Sequence, residues 1–552
     1  MGVRAGGTEM TIASETKNIG RQSWLIAGGV GAAAILGMVL IYISTRWGPG
    51  VGGDATIYMT SARNLLAGKG LGLIEADGSF RLLPYSAPFF PIVLAFLNAL
   101  GWEIVQGARF LNLLLFGSLI LLSGKITKKV TGSAWFAMGA SLLLALSPIL
   151  TPVFSWAMAE PLTLVLGFGG LFLMASLIEQ PSNNALLFLS AVLTGLAFLS
   201  RYSAAAFIAA AGLGWLLLAH LPWRKKMIQG LVFGVIALLP MLVWVGVQLS
   251  YTSGVASRSM EDAAGMTGRL ASFWPQFGEV LLSWLLPVSW IDSPSYPRLI
   301  NTILTWVFVL VLIGLGVFYF KREKDREEGN PIITIWPALV SIFLLTYTGL
   351  IFATYLTTYP PITLDNRMFS PIHTGVLMLL PIFLDGIFSR KKANWFRYAP
   401  VLLVLALVLW YASRDIRIVK QNYAQGLGYT SPAWQNSELI AWVRQTPPET
   451  TLITNETMAV LFLTGRIAYP FAEIYSDHPL DIYTSYGSDS KSQDSAQKLF
   501  RESQTPFVLF NTIETQFQSI YGSQTSLRIQ KLVEGLKQDF QGSDGAVYYA
   551  TH

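Results

Sequence analysis

Of the 552 residues, 53% are hydrophobic and 13% are charged, with a mean hydropathy of +0.49. A soluble chain carries about 25% charged residues, so this balance excludes a water-soluble globular protein and points to a polytopic α-helical membrane protein. The net charge of +6 is no nucleic-acid signal, because the lysines and arginines sit in short clusters between apolar runs, and the lack of cysteine excludes disulfides and thiolate metal sites.

The chain begins with a polar stretch carrying Arg4, Lys17 and Arg21. The apolar run Trp24–Thr45 that follows is too long for a signal-peptide core and has no clear small-residue cleavage site, so it reads as a retained span. Lys17 and Arg21 before it put the N-terminus in the cytoplasm and the next segment, Gly48–Ser86, outside. Ala87–Leu100 is short for a span and has Pro88 and Pro91 at its start, which suits an interfacial or re-entrant helix. If it does not cross, four basic clusters fall together on the cytoplasmic side. They are Lys125 with Lys128 and Lys129, Arg224-Lys225-Lys226, Lys321-Arg322 with Lys324 and Arg326, and Arg390-Lys391-Lys392.

Further spans are then expected at Phe110–Leu122, Trp135–Leu150, Pro161–Leu177, Ala185–Leu199, Ala204–Leu218 and Ile228–Leu249. Ile300–Phe320, Ile332–Phe352, Phe369–Ile387 and Tyr398–Tyr411 complete a set of about eleven, leaving the C-terminus outside. Between them, Phe273–Leu286 is amphipathic, and Trp274, Trp284 and nearby Trp290 suit a membrane interface. From about Ser413 the composition turns soluble. Helical periodicity at Ser437–Arg444, Thr457–Leu463 and Leu527–Leu536 mixes with strand-like Thr451–Thr454, Pro506–Phe510 and Ala546–Ala550, while Ser485–Ser495 reads as a loop. The chain therefore divides into a membrane domain, 1–412, and a small extracytoplasmic α/β domain, 413–552.

Charged residues at the outer ends of spans are the candidates for chemistry. Asp54 follows Gly52-Gly53 and opens a helical run to about Leu66, so an ordinary N-cap is the plain reading. Its place beside hydrocarbon, with glycines allowing close approach and Tyr58 one turn on, supports a functional one. Glu160, in Ala159-Glu160-Pro161-Leu162, suits a helix N-terminus with proline at the first position, yet a carboxylate so near lipid is costly without a partner. Arg201 and Arg367 run against the positive-inside trend. They either snorkel or pair with an acid, Asp365 being a partner for Arg367, or else grip a substrate phosphate. Lys69 and Arg81 read as solvated, and Gly68-Lys69-Gly70-Leu71-Gly72 lacks the strand–loop–helix setting of a phosphate loop. The four histidines are dispersed and form no metal cluster.

These features resemble the GT-C superfamily of polyprenyl-phosphate-dependent glycosyltransferases, in particular the family of protein O-mannosyltransferases and the aminoarabinose transferase acting on lipid A. The likeness runs over Trp24–Pro371. It is carried by Gly53-Asp54, Tyr85-Ser86-Ala87-Pro88, Ala108-Arg109-Phe110-Leu111-Asn112, Lys128-Lys129-Val130-Thr131-Gly132, Ala159-Glu160-Pro161-Leu162 and Asp365-Asn366-Arg367-Met368-Phe369-Ser370-Pro371. The resemblance implies a GT-C-like fold with interfacial helices, a polyprenyl-phosphate-linked sugar as donor, and an acceptor lipid, glycan or protein entering from outside. It implies that Asp54 is the catalytic base of an inverting transfer and that Arg201 and Arg367 hold the donor phosphate. Glu160 and Tyr58 would then bind the acceptor, or Glu160 would join Asp54 at a divalent ion, which some superfamily members use. Several mannosyltransferases carry an acidic pair where this chain has Asp54-Ala55, which leaves metal use and acceptor class open. A lipid or sugar transporter, or an inactive scaffold of the same fold, is the alternative.

Overall fold

The computed structural model describes residues 28–76, 78–83, 86–251, 259–260, 263–287, 298–324, 331–388, 398–471, 498, 500 and 505–551. Lys17, Arg21, Asp77, Tyr85, Trp290, Arg390-Lys391-Lys392 and the run Ser485–Ser495 lie outside the described residues. The chain opens with α1 (Gly28–Ser44), α2 (Gly53–Leu66), the antiparallel hairpin β1 (Gly72–Ile74) and β2 (Phe80–Leu82), and α3 (Phe89–Ala99). There follow α4 (Ile104–Thr131), α5 (Ala134–Ala145), α6 (Leu150–Ser155), α7 (Glu160–Glu179), α8 (Asn184–Ser200), α9 (Ala205–Leu218) and α10 (Trp223–Tyr251). The two-residue strands β3 (Ser259–Met260) and β4 (Thr358–Tyr359) pair across α11 (Ala263–Ser283), α12 (Arg298–Lys324) and α13 (Ile332–Thr357), and α14 (Asn366–Phe388) and α15 (Ala399–Gln425) end the helical part.

Among the described residues, seven helices are long and apolar enough to cross a membrane, namely α4, α7, α10, α12, α13, α14 and α15, and five shorter apolar helices pack with them. The protein is a polytopic α-helical integral membrane protein. Phe110–Leu122 is only the middle of α4. The helix starts where the Glu103 carboxylate accepts from the Gln106 N–H at 2.9 Å, and it stops at Gly132, whose φ of 71° is left-handed. The 11 residues of α3 extend about 16 Å, half of a hydrocarbon core, so Ala87–Leu100 is too short to cross. Two expectations need correction. Trp135–Leu150 is not one span: α5 ends at Ala145, and after Ser147-Pro148 the Ser147 hydroxyl accepts from the Ile149 and Leu150 N–H groups to start α6. Trp284 is not an interface anchor. It is 1% exposed, and its indole N–H donates to Asn366 Oδ1 at 3.2 Å.

Beyond α15, which runs on past the composition change at Ser413, the chain forms α16 (Glu438–Gln445), β5 (Ile453–Thr454), α17 (Thr457–Thr464), β6 (Tyr469–Pro470), β7 (Phe507–Phe510), α18 (Thr512–Tyr521), α19 (Thr525–Val533), β8 (Leu536–Gly542) and β9 (Gly545–Ala550). The strands make one sheet of order β6-β5-β7-β9-β8, parallel through β6, β5 and β7 and antiparallel beyond. Alternate residues of β7 serve opposite faces. Phe507 and Leu509 pack with Ile513, Phe517 and Leu532, while Val508 and Phe510 pack with Leu439, Val443 and Val460. The sequence reading missed β6, β8 and α18. At Gly535, with φ of 78°, the chain leaves α19, so Leu536 opens a strand and does not end a helix.

Candidate active site

Two backbone bridges bring the site together. Gly50 pairs in parallel with Trp156: its N–H donates to the Ser155 carbonyl at 2.8 Å, and its carbonyl accepts from the Ala157 N–H at 2.9 Å. Asn112 of α4 steadies the second segment by donating to the carbonyls of Phe154 and Trp156 at 3.0 and 2.7 Å. On the other side Val51 bridges Gly428, and the Tyr429 N–H donates to the Val51 carbonyl at 2.8 Å. Gly428 has φ of 53°, and a Cβ there would lie 2.1 Å from the Val51 oxygen, so only glycine fits. The loop before Asp54 is thus held between the segment leading to Glu160 and the chain leaving α15.

Asp54 does not cap α2, contrary to expectation. Gly52 is the N-cap, extended at φ −132° and ψ −161°, and Gly53 already belongs to the helix, so Asp54 lies in the first turn. There it still meets the positive end of the helix dipole, but its side chain turns to an arginine. Asp54 Oδ2 accepts from Arg367 Nη1 at 3.0 Å, and Nε of the same guanidinium forms an ion pair with Glu160 Oε1 at 3.2 Å. Arg201 Nη1 donates to that Glu160 oxygen at 2.5 Å, and its Nη2 approaches the Met368 sulfur at 3.8 Å. Two acids and two arginines from α2, α7, the end of α8 and the start of α14 therefore form one charge-balanced quartet.

Exposure is uneven within it. The Glu160 side chain is 3% exposed and that of Arg201 17%, against 49% for Asp54 and 41% for Arg367. Glu160 Oε2 is buried with no hydrogen-bond partner among the described residues. Burial alone would lower the Arg201 pKa, but the Glu160 carboxylate, helped by Tyr58, Tyr347 and Asp54, holds it above the usual arginine range. Tyr58 is buried edge-on to Phe90 at 5.4 Å. Burial first, then Asp54 and Glu160, push its hydroxyl up against the opposing effects of Arg201 and a hydrogen bond with Ser86, so it stays a neutral phenol.

Asp365, expected as a partner of Arg367, instead accepts from the Met368 N–H at 2.7 Å and starts α14. Arg81 pairs with Glu75 at 3.3 Å in the hairpin, Lys69 is exposed, and neither joins the quartet. Arg109 clamps α4 to α1 by donating to Thr45 Oγ1 and the Tyr42 carbonyl at 3.0 and 2.9 Å. Two supports went unread in the sequence. Tyr347 of α13 donates to the Met368 carbonyl at 2.9 Å, beside Arg201. Asn366 Oδ1 accepts from Ser283 Oγ at 3.1 Å as well as from Trp284, and Arg414 of α15 donates to the carbonyls of Ser283 and Trp284 at 2.7 and 2.8 Å. These bonds pin the end of α11 next to Arg367. A tyrosine or asparagine near a span end gives no sign of them.

In this arrangement the Arg367 guanidinium lies between the Asp54 and Glu160 oxygens, and a divalent ion held by the two acids would have to displace it. Among the described residues no group of three or more acids and histidines is placed to hold a metal.

No family model matches the chain, and no curated protein sequence matches it. Solved structures do. ArnT from Cupriavidus metallidurans bound to undecaprenyl phosphate has a TM-score of 0.53 at 13% identity, over 94% of this chain and 98% of that one. The archaeal oligosaccharyltransferase AglB from Archaeoglobus fulgidus, in complex with an inhibitory peptide and a dolichol-phosphate, has a TM-score of 0.54 at 14% identity, over 96% of this chain and 74% of that one. The Archaeoglobus fulgidus oligosaccharyltransferase complex with zinc and sulfate has a TM-score of 0.53 at 12% identity, over 93% and 73%. These are GT-C proteins, and the chain shares their fold.

Proposed function

We propose that the protein is an inverting membrane glycosyltransferase that moves a sugar from a polyprenyl-phosphate donor to an acceptor hydroxyl. The observation that carries this reading is the acid–arginine quartet, which offers a half-exposed carboxylate and a half-exposed guanidinium 3.0 Å apart at the ends of helices in a GT-C fold. Two neighbours of that fold are bound to undecaprenyl phosphate and dolichol-phosphate. Asp54 accepts the proton of the acceptor hydroxyl as its oxygen attacks the anomeric carbon. The bond from that carbon to the phosphate oxygen breaks, and its electron pair leaves with the polyprenyl phosphate, whose charge the Arg367 guanidinium stabilises. Glu160 Oε2 and the neutral Tyr58 hydroxyl orient the acceptor, which is a lipid, a glycan or a protein. No step runs through a metal ion. Placement of the quartet at helix ends, and not at mid-membrane, argues against a transporter.

In this reading the N-terminus is cytoplasmic, the quartet and the C-terminal unit (413–552) are extracytoplasmic, and the membrane is a bacterial cytoplasmic membrane. The test is transfer from polyprenyl-phosphate sugars by purified protein. Asp54→Asn is expected to lower turnover about 10²–10⁴-fold, the usual worth of a general base. Wild-type-like turnover in this variant would remove Asp54 from the base role.

A further inference from the structure

The sequence presents Arg201 and Arg367 as equivalent, but the structure does not. Both guanidinium ends of Arg201 are engaged, one by Glu160 and one by the Met368 sulfur, and the side chain is largely buried. Arg367 is 41% exposed and stretches between two acids through Nη1 and Nε. Its partner Asp54 is itself half exposed, and Arg367 is the one ion-pair partner it has among the described residues. An ion pair between two half-exposed groups is weak, whereas a phosphate offers a guanidinium two parallel charge-assisted bonds.

We propose that Arg367 is handed from Asp54 to the donor's phosphate, which frees Asp54 to act as base, while Arg201 stays with Glu160 as a positioning residue. This rests on the glycosyl-transfer reading above. The donor is a phosphodiester with a single negative charge, and the departing polyprenyl phosphate is a monoester that gains a second. The hold of Arg367 therefore tightens as the bond to the sugar breaks, which is where stabilisation accelerates the reaction. The acceptor's proton goes to Asp54, its oxygen bonds to the sugar, and the electron pair of the broken bond goes to the phosphate. Donor binding precedes productive acceptor binding, because before it Asp54 Oδ2 is occupied.

The probe is undecaprenyl phosphate, titrated into the full-length protein in nanodiscs. Asp54→Asn removes the competitor for Arg367 and is expected to tighten binding about threefold, the worth of a half-exposed ion pair. Arg367→Gln is expected to weaken it about tenfold. In the Arg367→Gln background, Asp54→Asn is expected to change nothing further, which separates a hand-over from general charge repulsion. If Arg367→Gln fails to fold, Arg367→Met takes its place, since it removes the charge and keeps most of the apolar stem. Arg201→Lys is expected to leave the affinity unchanged while lowering kcat. Equal tightening by Asp54→Asn in both backgrounds, no tightening at all, or a tenfold loss from Arg201→Lys would overturn the hand-over and leave the transferase reading standing. Failure of the wild type to bind undecaprenyl phosphate would overturn that reading itself.

Discussion

Glu160 is the residue on which the site's charge balance turns. One of its oxygens serves both arginines, and it is the most buried member of the quartet. Glu160→Gln leaves two guanidiniums facing each other around a neutral amide, and breaking a buried pair in this way costs about 3–5 kcal/mol. Asp54→Asn breaks only a half-exposed contact, worth at most about 1 kcal/mol. Thermal melting in detergent should therefore drop far more for Glu160→Gln than for Asp54→Asn, and equal drops would mean that Glu160 is not the centre of the network. Because Arg201 and Arg367 together balance the charge of the two acids and the transfer needs no further cation, chelation should leave turnover unchanged; loss of turnover in EDTA and its return with a divalent ion would refute that. All four charges were legible singly, since ionisable groups beside hydrocarbon stand out. Their pairing was not, because Arg367 and Asp54 lie 313 positions apart and Arg201 and Glu160 lie 41 apart. Nothing local in the chain says which acid takes which arginine.

At the scale of elements, the loop from Gly48 to Gly53 does the most for the site, and its supports come from far along the chain. Gly428→Ala would put a Cβ against the Val51 carbonyl and a side chain at positive φ, a conformation that alone costs about 1–2 kcal/mol. The expected result is a lower melting temperature together with a fall in turnover, because Asp54 is carried by the displaced loop. Unchanged turnover in a well-folded Gly428→Ala protein would mean that this bridge does not position Asp54. Next along the chain, the Tyr429 hydroxyl donates to Glu456 Oε2 at 3.3 Å, and Thr512 Oγ1 donates to Glu456 Oε1 at 2.7 Å. Burial raises the Glu456 pKa above its ordinary value of 4.5, despite these bonds. The native state then binds this proton more tightly than the unfolded chain does. The stability so gained is fully present below pH 4.5 and is lost as pH rises through the raised value. Glu456→Gln should flatten that part of the melting-temperature profile, and an unchanged slope would exclude Glu456 as its source. In the membrane part the long helices were legible from apolar runs, but the break at Ser147-Pro148 was not. Hydropathy sees an apolar stretch and not the serine hydroxyl that restarts the chain as α6.

For the whole molecule, the structure gives the helical layer two chemically different faces. The ends of α4 and α7 meet at the Lys129–Glu179 ion pair of 2.6 Å, and α10 begins close by, where Gln229 donates to the Pro181 carbonyl at 3.1 Å. Lys125, Lys128 and Arg224-Lys225-Lys226 therefore collect at that face. The opposite ends carry the quartet: α7 starts with Glu160, and α10 finishes where Gln248 donates to the Leu83 carbonyl at 3.3 Å. α17 packs against α2 on this side, so the C-terminal sheet stands over the face that holds Asp54. Lysine and arginine favour the cytoplasmic side of a bilayer, so the proposed orientation puts the face with the quartet outside. The chain contains no cysteine, so single introduced thiols report their side without background. In intact cells, a membrane-impermeant maleimide is expected to label Lys537→Cys, on β8, and to leave Lys128→Cys untouched until the membrane is opened. Labelling of Lys128→Cys alone would invert the orientation and move acceptor chemistry to the cytoplasm, and labelling of both would overturn the crossing count.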